Sequence, residues 1–268
     1  MKDYVLELAA KQDGLNAKMN VMREYLQAYT LRIMQDEGLF HTTAFLGGTA
    51  LRFLHDLPRY SEDIDFSTVK GKKHDFAALV KKIKEELVLA GYSVAVTYKD
   101  EKIVQSAFVK FDGLLKDAGL SPFKEQNISL KIEIDTNPPD GAIFRTDIVN
   151  KYFPISFLSY DLPSLFAGKS HALLSRGYTK GRDFFDLGWY LSKWKDLKPN
   201  IALLNNALTQ TGWKQDYPTE NTWRNIIGGA VNKADWGEVK KDVGNFLERP
   251  EDLSVFTKEN VLKMLERA

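Results

Sequence analysis

Two carboxylates, placed two residues apart on one predicted strand, constrain this chain more than any other feature. The segment Phe45-Leu-Gly-Gly-Thr-Ala-Leu-Arg52 is typical of a strand, a tight turn and a short helix, and Ser61-Glu-Asp-Ile-Asp-Phe66 follows as a second strand. Side chains on a strand alternate between its faces, so Asp63 and Asp65 point to the same side, about 6.5–7 Å apart. The apolar residues beside them point into a core. This spacing therefore predicts a pair of carboxylates on one polar face of a sheet.

A pair of carboxylates beside a glycine turn indicates a site for metal and phosphate. Two neighbouring carboxylates repel each other unless a cation lies between them. Oxygen ligands without His or Cys favour Mg²⁺ or Mn²⁺, usually held together with substrate phosphates. The Gly47-Gly48 turn lets backbone N–H groups approach a phosphate, and the N-terminus of the following helix favours negative charge. Either feature alone is common on protein surfaces, but their combination within some twenty residues predicts a phosphate-and-metal site.

A second charged strand face is predicted near residue 130. In Ile128-Ser-Leu-Lys-Ile-Glu-Ile-Asp135 the isoleucines and the leucine share one face, and Ser129, Lys131, Glu133 and Asp135 share the other. Such a face is either solvated or lines a polar site. The spacing does not distinguish Glu133 from Asp135 as a partner for the first pair of carboxylates.

The bulk composition excludes several classes of function. The chain has 268 residues, 27% of them charged, and a net charge of +1, so no global basic field indicates nucleic acid. It has no cysteine, which excludes disulfides, thiolate metal sites and cysteine nucleophiles. The N-terminal segment is too polar for a signal peptide, and no stretch approaches the ~20 apolar residues of a membrane span. We expect a cytoplasmic protein without a membrane partner.

Hydrophobic periodicity predicts an α/β (α+β) chain. Amphipathic helices are expected from residue 15 to near residue 38 and over 74–90, and strands over 92–98, 106–111 and 128–136. Six helical segments are expected after about residue 155. The change from mixed strands and helices to helices alone falls within 137–159. We therefore expect domains at 1–150 and 151–268, the second one helical.

A second distinctive segment lies in the helical half. It reads Leu165-Phe-Ala-Gly-Lys-Ser-His-Ala172, then Ser175-Arg-Gly-Tyr-Thr-Lys-Gly-Arg-Asp-Phe-Phe-Asp-Leu187. Asp183 and Asp186 are three residues apart and share one helix face, where acids near the N-terminus are favoured by the helix dipole. An ordinary capping role explains them equally well. The cations and aromatic residues of this segment form either a patch for an RNA end or a solvated surface; they are Lys169, Arg176, Tyr178, Lys180, Arg182, Phe184 and Phe185.

The order of these motifs resembles the nucleotidyltransferase superfamily. The residues Gly47-Gly-Thr-Ala-Leu-Arg52 and Arg59-Tyr-Ser-Glu-Asp-Ile-Asp-Phe66 are similar to those of its AbiEii-type branch, the toxin halves of bacterial toxin–antitoxin and phage-defence pairs. The similarity extends over roughly residues 40–190. It implies a mixed-sheet core of the nucleotidyltransferase type, a helical C-terminal domain and an active site between them.

The resemblance also implies an activity and the residues that carry it. A nucleotidyl group would pass from an NTP to a hydroxyl, with RNA such as a tRNA 3′ end as one acceptor, and an antitoxin encoded nearby would be the partner. Two Mg²⁺ or Mn²⁺ ions would clamp the reacting oxygens. The implied metal ligands are Asp63, Asp65 and a third carboxylate, with Glu133 the first choice and Asp135 the second. The implied contacts to the nucleotide are Gly47, Gly48, Thr49, Arg52, Ser61 and Lys169, followed by Arg182, Asp183 and Asp186 of the last motif.

Three other functions are compatible with the same motifs. A glycosyltransferase also uses Asp-x-Asp with a metal, but it needs neither the Gly-Gly-Thr helix nor the motif at Lys169. A toxin or scaffold that acts by binding alone would have no reason to retain Asp63, Asp65 and Lys169. A nucleotidyltransferase of small molecules such as antibiotics remains open, because these motifs do not specify the acceptor.

Overall fold

The computed structural model describes residues 1–267, which form two compact units. Unit 1 contains Met1–Asp56, Tyr60–Asn137 and Arg145–Ser159. Unit 2 contains Leu57–Arg59, Pro138–Phe144 and the residues from Tyr160 onward. The chain therefore passes between the units several times.

Strands and helices are interspersed up to Tyr160, and helices alone follow. The strands are β1 (Thr43–Leu46), β2 (Asp63–Thr68), β3 (Val94–Lys99), β4 (Val104–Phe111), β5 (Ile128–Asp135), β6 (Phe144–Asn150) and β7 (Pro154–Tyr160). The helices are α1 (Lys2–Ala10), α2 (Leu15–Asp36), α3 (Gly47–His55), α4 (Phe76–Leu89), α5 (Leu114–Asp117), α6 (Leu162–Ser175), α7 (Gly181–Lys193), α8 (Ile201–Gln210), α9 (Trp223–Lys233), α10 (Trp236–Gly244), α11 (Asp252–Val255) and α12 (Lys258–Arg267).

The seven strands form one mixed sheet in the order β3-β4-β5-β2-β1-β7-β6. Strand β2 lies at its centre, parallel to β5 and antiparallel to β1. This arrangement confirms the expected mixed-sheet α/β fold. Strands β6 and β7 were not predicted. Strand β6 has no clear hydrophobic alternation, since its residues are exposed or half-buried throughout.

The core of unit 1 lies against the apolar face of the central strands. Ile64 and Phe66 of β2 and the apolar residues of β5 are at most 2% exposed. Phe45 stacks on Phe157 at 4.9 Å between ring centroids and contacts Phe66 at 5.3 Å. Burial of each ring stabilises the fold by about 1.5–3 kcal/mol. Because this face is apolar, the alternating residues of the same strands must present their carboxylates on the other face.

Unit 2 packs its helices around an aromatic core. Phe166 of α6 stacks on Tyr190 of α7 at 4.4 Å between centroids, and Trp223 of α9 meets Phe166 edge-on at 5.6 Å. Asp161 caps α6 by accepting a hydrogen bond from the Ser164 N–H. This packing fixes α6 and α7 side by side, which brings Lys169 of α6 close to the acids of α7.

Candidate active site

The register of β2 and β5 places three carboxylates on one face of the sheet. Asp65 is paired directly with Glu133, and Asp63 with Lys131, across two parallel neighbouring strands. Adjacent strands are about 4.8 Å apart. Asp63, Asp65 and Glu133 are all partly exposed. The alternation predicted from the sequence therefore places three carboxylates on one face of two neighbouring strands.

The same register orders the two candidates for the third carboxylate. Asp135 pairs with Ser67, two residues further along the strands than the Asp65–Glu133 pair. Its carboxylate accepts a hydrogen bond from the Asn137 N–H at 2.9 Å. Burial raises the pKa of Asp135, although this hydrogen bond opposes the rise. Glu133 therefore lies directly opposite Asp65, while Asp135 is hydrogen-bonded within a local turn.

The glycine turn lies directly against Asp65. Gly47 begins α3 with a φ of 82°, which is the left-handed region that favours glycine. A Cβ atom built on Gly47 would overlap the Asp65 carboxylate and lie 3.0 Å from both Cβ and Cγ of that residue. Within the same first turn of α3, the Thr49 hydroxyl donates a hydrogen bond to the Asp63 carbonyl. The Gly47 turn and strand β2 are therefore packed against each other and joined by a hydrogen bond.

Lys131 belongs to this cluster, although sequence reasoning gave it no role. Its Nζ lies 2.8 Å from Glu133 Oε1. Burial alone would lower the pKa of Lys131, but the carboxylates of Glu133, Asp63 and Asp65 outweigh it and raise that pKa. Lys131 therefore lies close enough to all three acids to interact with their charges. The alternation of β5 already placed Lys131 on this face, so a signal was present.

Arg52 is held inside unit 1. Its Nε donates to Glu24 Oε2 at 2.5 Å, and its guanidinium lies 4.6 Å from the centroid of the Tyr60 ring. Glu24 also accepts from Lys151 Nζ at 3.0 Å and from the Tyr152 hydroxyl at 2.9 Å. Burial would raise the pKa of Glu24, but the two cations hold it below its usual value. This buried cluster orients α3, and contact of Arg52 with a nucleotide stays a prediction.

The remaining residues predicted for unit 1 lie at the ends of the same elements. Gly48 is buried within the first turn of α3, directly after Gly47. Ser61 lies two residues before β2, and its carbonyl oxygen accepts a hydrogen bond from Gln27 Nε2 at 3.0 Å. Gln27 is buried in α2, so this contact ties α2 to the entry of the carboxylate strand.

Unit 2 contains a separate buried ion network, centred on the acids of α7. Lys169 Nζ lies 3.0 Å from Asp183 Oδ1 and 2.7 Å from Asp186 Oδ2. Arg59 donates two hydrogen bonds to Asp186, at 2.6 and 2.5 Å, in the paired geometry that guanidinium groups form with carboxylates. Arg176 Nε lies 3.3 Å from the other oxygen of Asp183. The structure therefore brings together Asp183 and Asp186, whose spacing predicted a shared helix face, and joins Lys169, Arg59 and Arg176 to them.

The electrostatics of this network favour the charged forms of Lys169 and Asp183. Burial would lower the pKa of Lys169, but Asp186 and Asp183 raise it above its ordinary value. Burial would raise the pKa of Asp183, but Lys169 and then Arg176 lower it. Both shifts stabilise the ionised forms. Arg59 went unassigned because nothing in the sequence indicates that it meets an acid 127 positions later.

Arg182 has partners of its own within unit 2. Its Nε lies 3.6 Å from Asp242 Oδ2, and its guanidinium lies 4.1 Å from the centroid of the Phe246 ring. The backbone N–H of Arg182 also donates to Asp242 at 3.0 Å, which anchors the start of α7. Its predicted contact with the nucleotide stays a prediction.

The donor set of the carboxylate face suits a divalent cation. Carboxylate oxygens without sulfur or imidazole are typical of Mg²⁺ and Mn²⁺ sites. Because Gly47 has no Cβ atom, the Asp65 carboxylate has room to lie in its observed position. Among residues 1–267, no group of three or more acids or histidines already has the geometry of a metal cage. Glu133 is instead paired with Lys131.

Comparison with known proteins identifies the family. Residues 30–257 match the family described as nucleotidyl transferase AbiEii toxin, type IV toxin–antitoxin system. The chain therefore belongs to this family, and it is a nucleotidyltransferase toxin by class. No curated protein sequence gives a significant match.

Solved structures share the fold at low sequence identity. MenT4, a nucleotidyltransferase toxin from Mycobacterium tuberculosis, matches with a TM-score of 0.61 at 14% identity, over 99% of this chain and 88% of that one. A putative nucleotidyltransferase from Helicobacter pylori matches with a TM-score of 0.58 at 16% identity, over 92% and 93% of the two chains. JHP933 from Helicobacter pylori matches with a TM-score of 0.55 at 16% identity, over 91% and 89%. These likenesses confirm the fold.

No helix within residues 1–267 is long and apolar enough to cross a membrane.

Proposed function

We propose that this toxin transfers a nucleotidyl group from an NTP to the hydroxyl of an RNA end, and that Asp63, Asp65 and Glu133 hold the metal ions for this reaction. The observation that carries the proposal is the pairing of Asp65 with Glu133 across β2 and β5, beside the Gly47 turn. In the transfer, the acceptor hydroxyl attacks the α-phosphorus, the bond to pyrophosphate breaks, and the hydroxyl proton passes to a carboxylate.

The residues of unit 1 would divide this work between them. The carboxylates would hold metal ions, which, when bound, stabilise the attacking and leaving oxygens of an in-line displacement. The backbone N–H groups of Gly48 and Thr49, at the N-terminus of α3, would bind phosphate. Binding of the cations would displace the Lys131 ammonium from Glu133, since that ammonium interacts with the same carboxylates.

In unit 2, Lys169 keeps the role that the family resemblance gives it, contact with the triphosphate. Its ammonium is already bound by Asp183 and Asp186, so we infer that these acids orient it and keep it charged. A lysine serves as a compact charge for a leaving pyrophosphate. A family of toxin–antitoxin systems also implies a partner antitoxin.

The test combines each of the four labelled NTPs with Mg²⁺, total RNA and the purified chain. Asp65→Asn should reduce label transfer about a hundredfold or more, because it deletes a charge that stabilises the transition state. Asp100→Asn, which changes an exposed acid of the same unit, is the matched control. Excess EDTA should abolish transfer by the parent protein. Transfer that persists in EDTA, or in a folded Asp65→Asn protein, contradicts the metal-dependent mechanism.

The acceptor and the mode of toxicity are separated by two further measurements. Label found on small molecules and absent from RNA would replace the RNA acceptor with a small-molecule one. Expression in a bacterial host should slow growth for the parent and not for Asp65→Asn at equal abundance. Equal toxicity of the two proteins would indicate a toxin that acts by binding.

A further inference from the structure

A cavity of about 540 Å³ lies wholly within unit 2. Its walls come from the end of α6, the segment 176–180, the start of α7, the face of α9 and the segment 213–216. Its volume is within the range of about 300–1,000 Å³ that small-molecule sites occupy. Gly229 on α9 contributes empty space, since a Cβ atom built on it would contact nothing within 4 Å. The cavity therefore has room for one ligand about the size of a nucleotide.

The cavity carries more positive than negative charge. Arg176, Lys180 and Lys233 line it, against Asp183 and Asp216. Both oxygens of Asp183 are already close to cations, Oδ1 to Lys169 and Oδ2 to Arg176. Lys180 is partly buried, and burial followed by the neighbouring Arg182 guanidinium lowers its pKa. The cations here are in excess, and an anionic group would complement them.

Aromatic side chains share the same walls. Tyr178 is 67% exposed, which is unusual for a large ring, and Arg176 Nη1 donates to its hydroxyl at 3.0 Å. Trp213 also lines the cavity, and its indole N–H already donates to the Asp216 carbonyl at 3.2 Å. The Arg176 guanidinium also lies over the Tyr178 ring, 5.7 Å from its centroid, so a base would stack on the opposite face of that ring. Stacking of a base on an aromatic ring contributes about 1–3 kcal/mol.

We propose that this cavity binds a phosphorylated nucleoside, with its phosphate at Arg176 and Lys180 and its base at Tyr178 and Trp213. The proposal rests on the proposed function, because it gives a nucleotide of that reaction a binding place in unit 2. Charge alone would suit an acidic peptide, but two rings beside the cations favour a planar base. The nucleoside is either a free nucleotide or the terminal residue of an RNA strand.

The experiment measures binding without metal, so that it does not depend on transfer. The probes are the four nucleoside 5′-monophosphates, an RNA hexamer with a 3′-hydroxyl, inorganic phosphate and polyglutamate. Lys180→Gln and Tyr178→Ala should each raise Kd about tenfold, the change that corresponds to about 1.4 kcal/mol. Gly229→Met, which fills the cavity without changing a charge, should do the same. Lys195→Gln, at an exposed lysine of unit 2, should leave Kd unchanged.

Each outcome decides the proposal. Weaker binding of monophosphates in the cavity variants identifies a free nucleotide, and weaker binding of the hexamer alone identifies an RNA end. The proposal is overturned if phosphate or polyglutamate binds as tightly as the nucleotides, or if the variants bind all probes like the parent. If Asp65→Asn transfers label like the parent while the cavity variants lose binding, the metal assignment fails and the cavity assignment stands.

Discussion

Replacing Gly47 with alanine tests the carboxylate cluster through its geometry, without removing a charge. At a φ of 82° an alanine costs about 1–2 kcal/mol relative to glycine. Its Cβ would overlap the Asp65 carboxylate and crowd two more atoms of that side chain. The Asp65 side chain must then move away from residue 47, and we expect a further cost of about 1–3 kcal/mol from overpacking.

Gly71→Ala is the matched control for this substitution. Gly71 has a φ of 78°, and a Cβ atom there would meet nothing within 4 Å. Both variants therefore carry the same backbone penalty, and only Gly47→Ala displaces a proposed metal ligand. Moving a catalytic group by about 1 Å reduces the rate about a hundredfold.

The assays are urea denaturation, label transfer from NTP to RNA, and Mn²⁺ titration by calorimetry. Gly47→Ala should lose about a hundredfold in transfer relative to Gly71→Ala and should bind Mn²⁺ more weakly. The reasoning is refuted if the two variants, both folded, agree within threefold in transfer and bind Mn²⁺ equally.

Three predictions concern the buried charges. All five tryptophans lie in unit 2, so their fluorescence reports on that unit alone. By this measure Asp186→Asn should lower the free energy of unfolding by about 3–5 kcal/mol, since it leaves buried cations unpaired. The exposed control Asp196→Asn should change that free energy by less than about 0.5 kcal/mol. Because the pKa of Asp183 lies below its ordinary 3.8, its contribution to stability is present above that pH and is lost as the pH falls through the lowered value. Asp183→Asn should flatten stability against pH in that acid range, and an unchanged slope would contradict the pairing with Lys169. In unit 1, Glu24→Gln should lower the thermal midpoint measured by circular dichroism, and an unaltered midpoint would remove the Arg52 cluster as a stabilising element.

The local features of the site followed from the sequence because they depend on periods of a few residues. Alternation along a strand placed Asp63 and Asp65 on one face, and a helical spacing of three placed Asp183 and Asp186 together. Hydrophobic periodicity gave the limits of two helices to within about two positions: 15–38 and 74–90 were predicted, and Leu15–Asp36 and Phe76–Leu89 are observed.

Tertiary structure decided everything that depends on which elements are neighbours. Alternation along β5 treats Glu133 and Asp135 alike, and only the parallel register with β2 places Glu133 opposite Asp65. No local pattern could pair Arg59 with Asp186, or collect the walls of the unit 2 cavity from five separate segments. The physical reason is that the sequence sets each side chain's direction relative to its own backbone, while the burial of apolar faces between elements sets which directions converge.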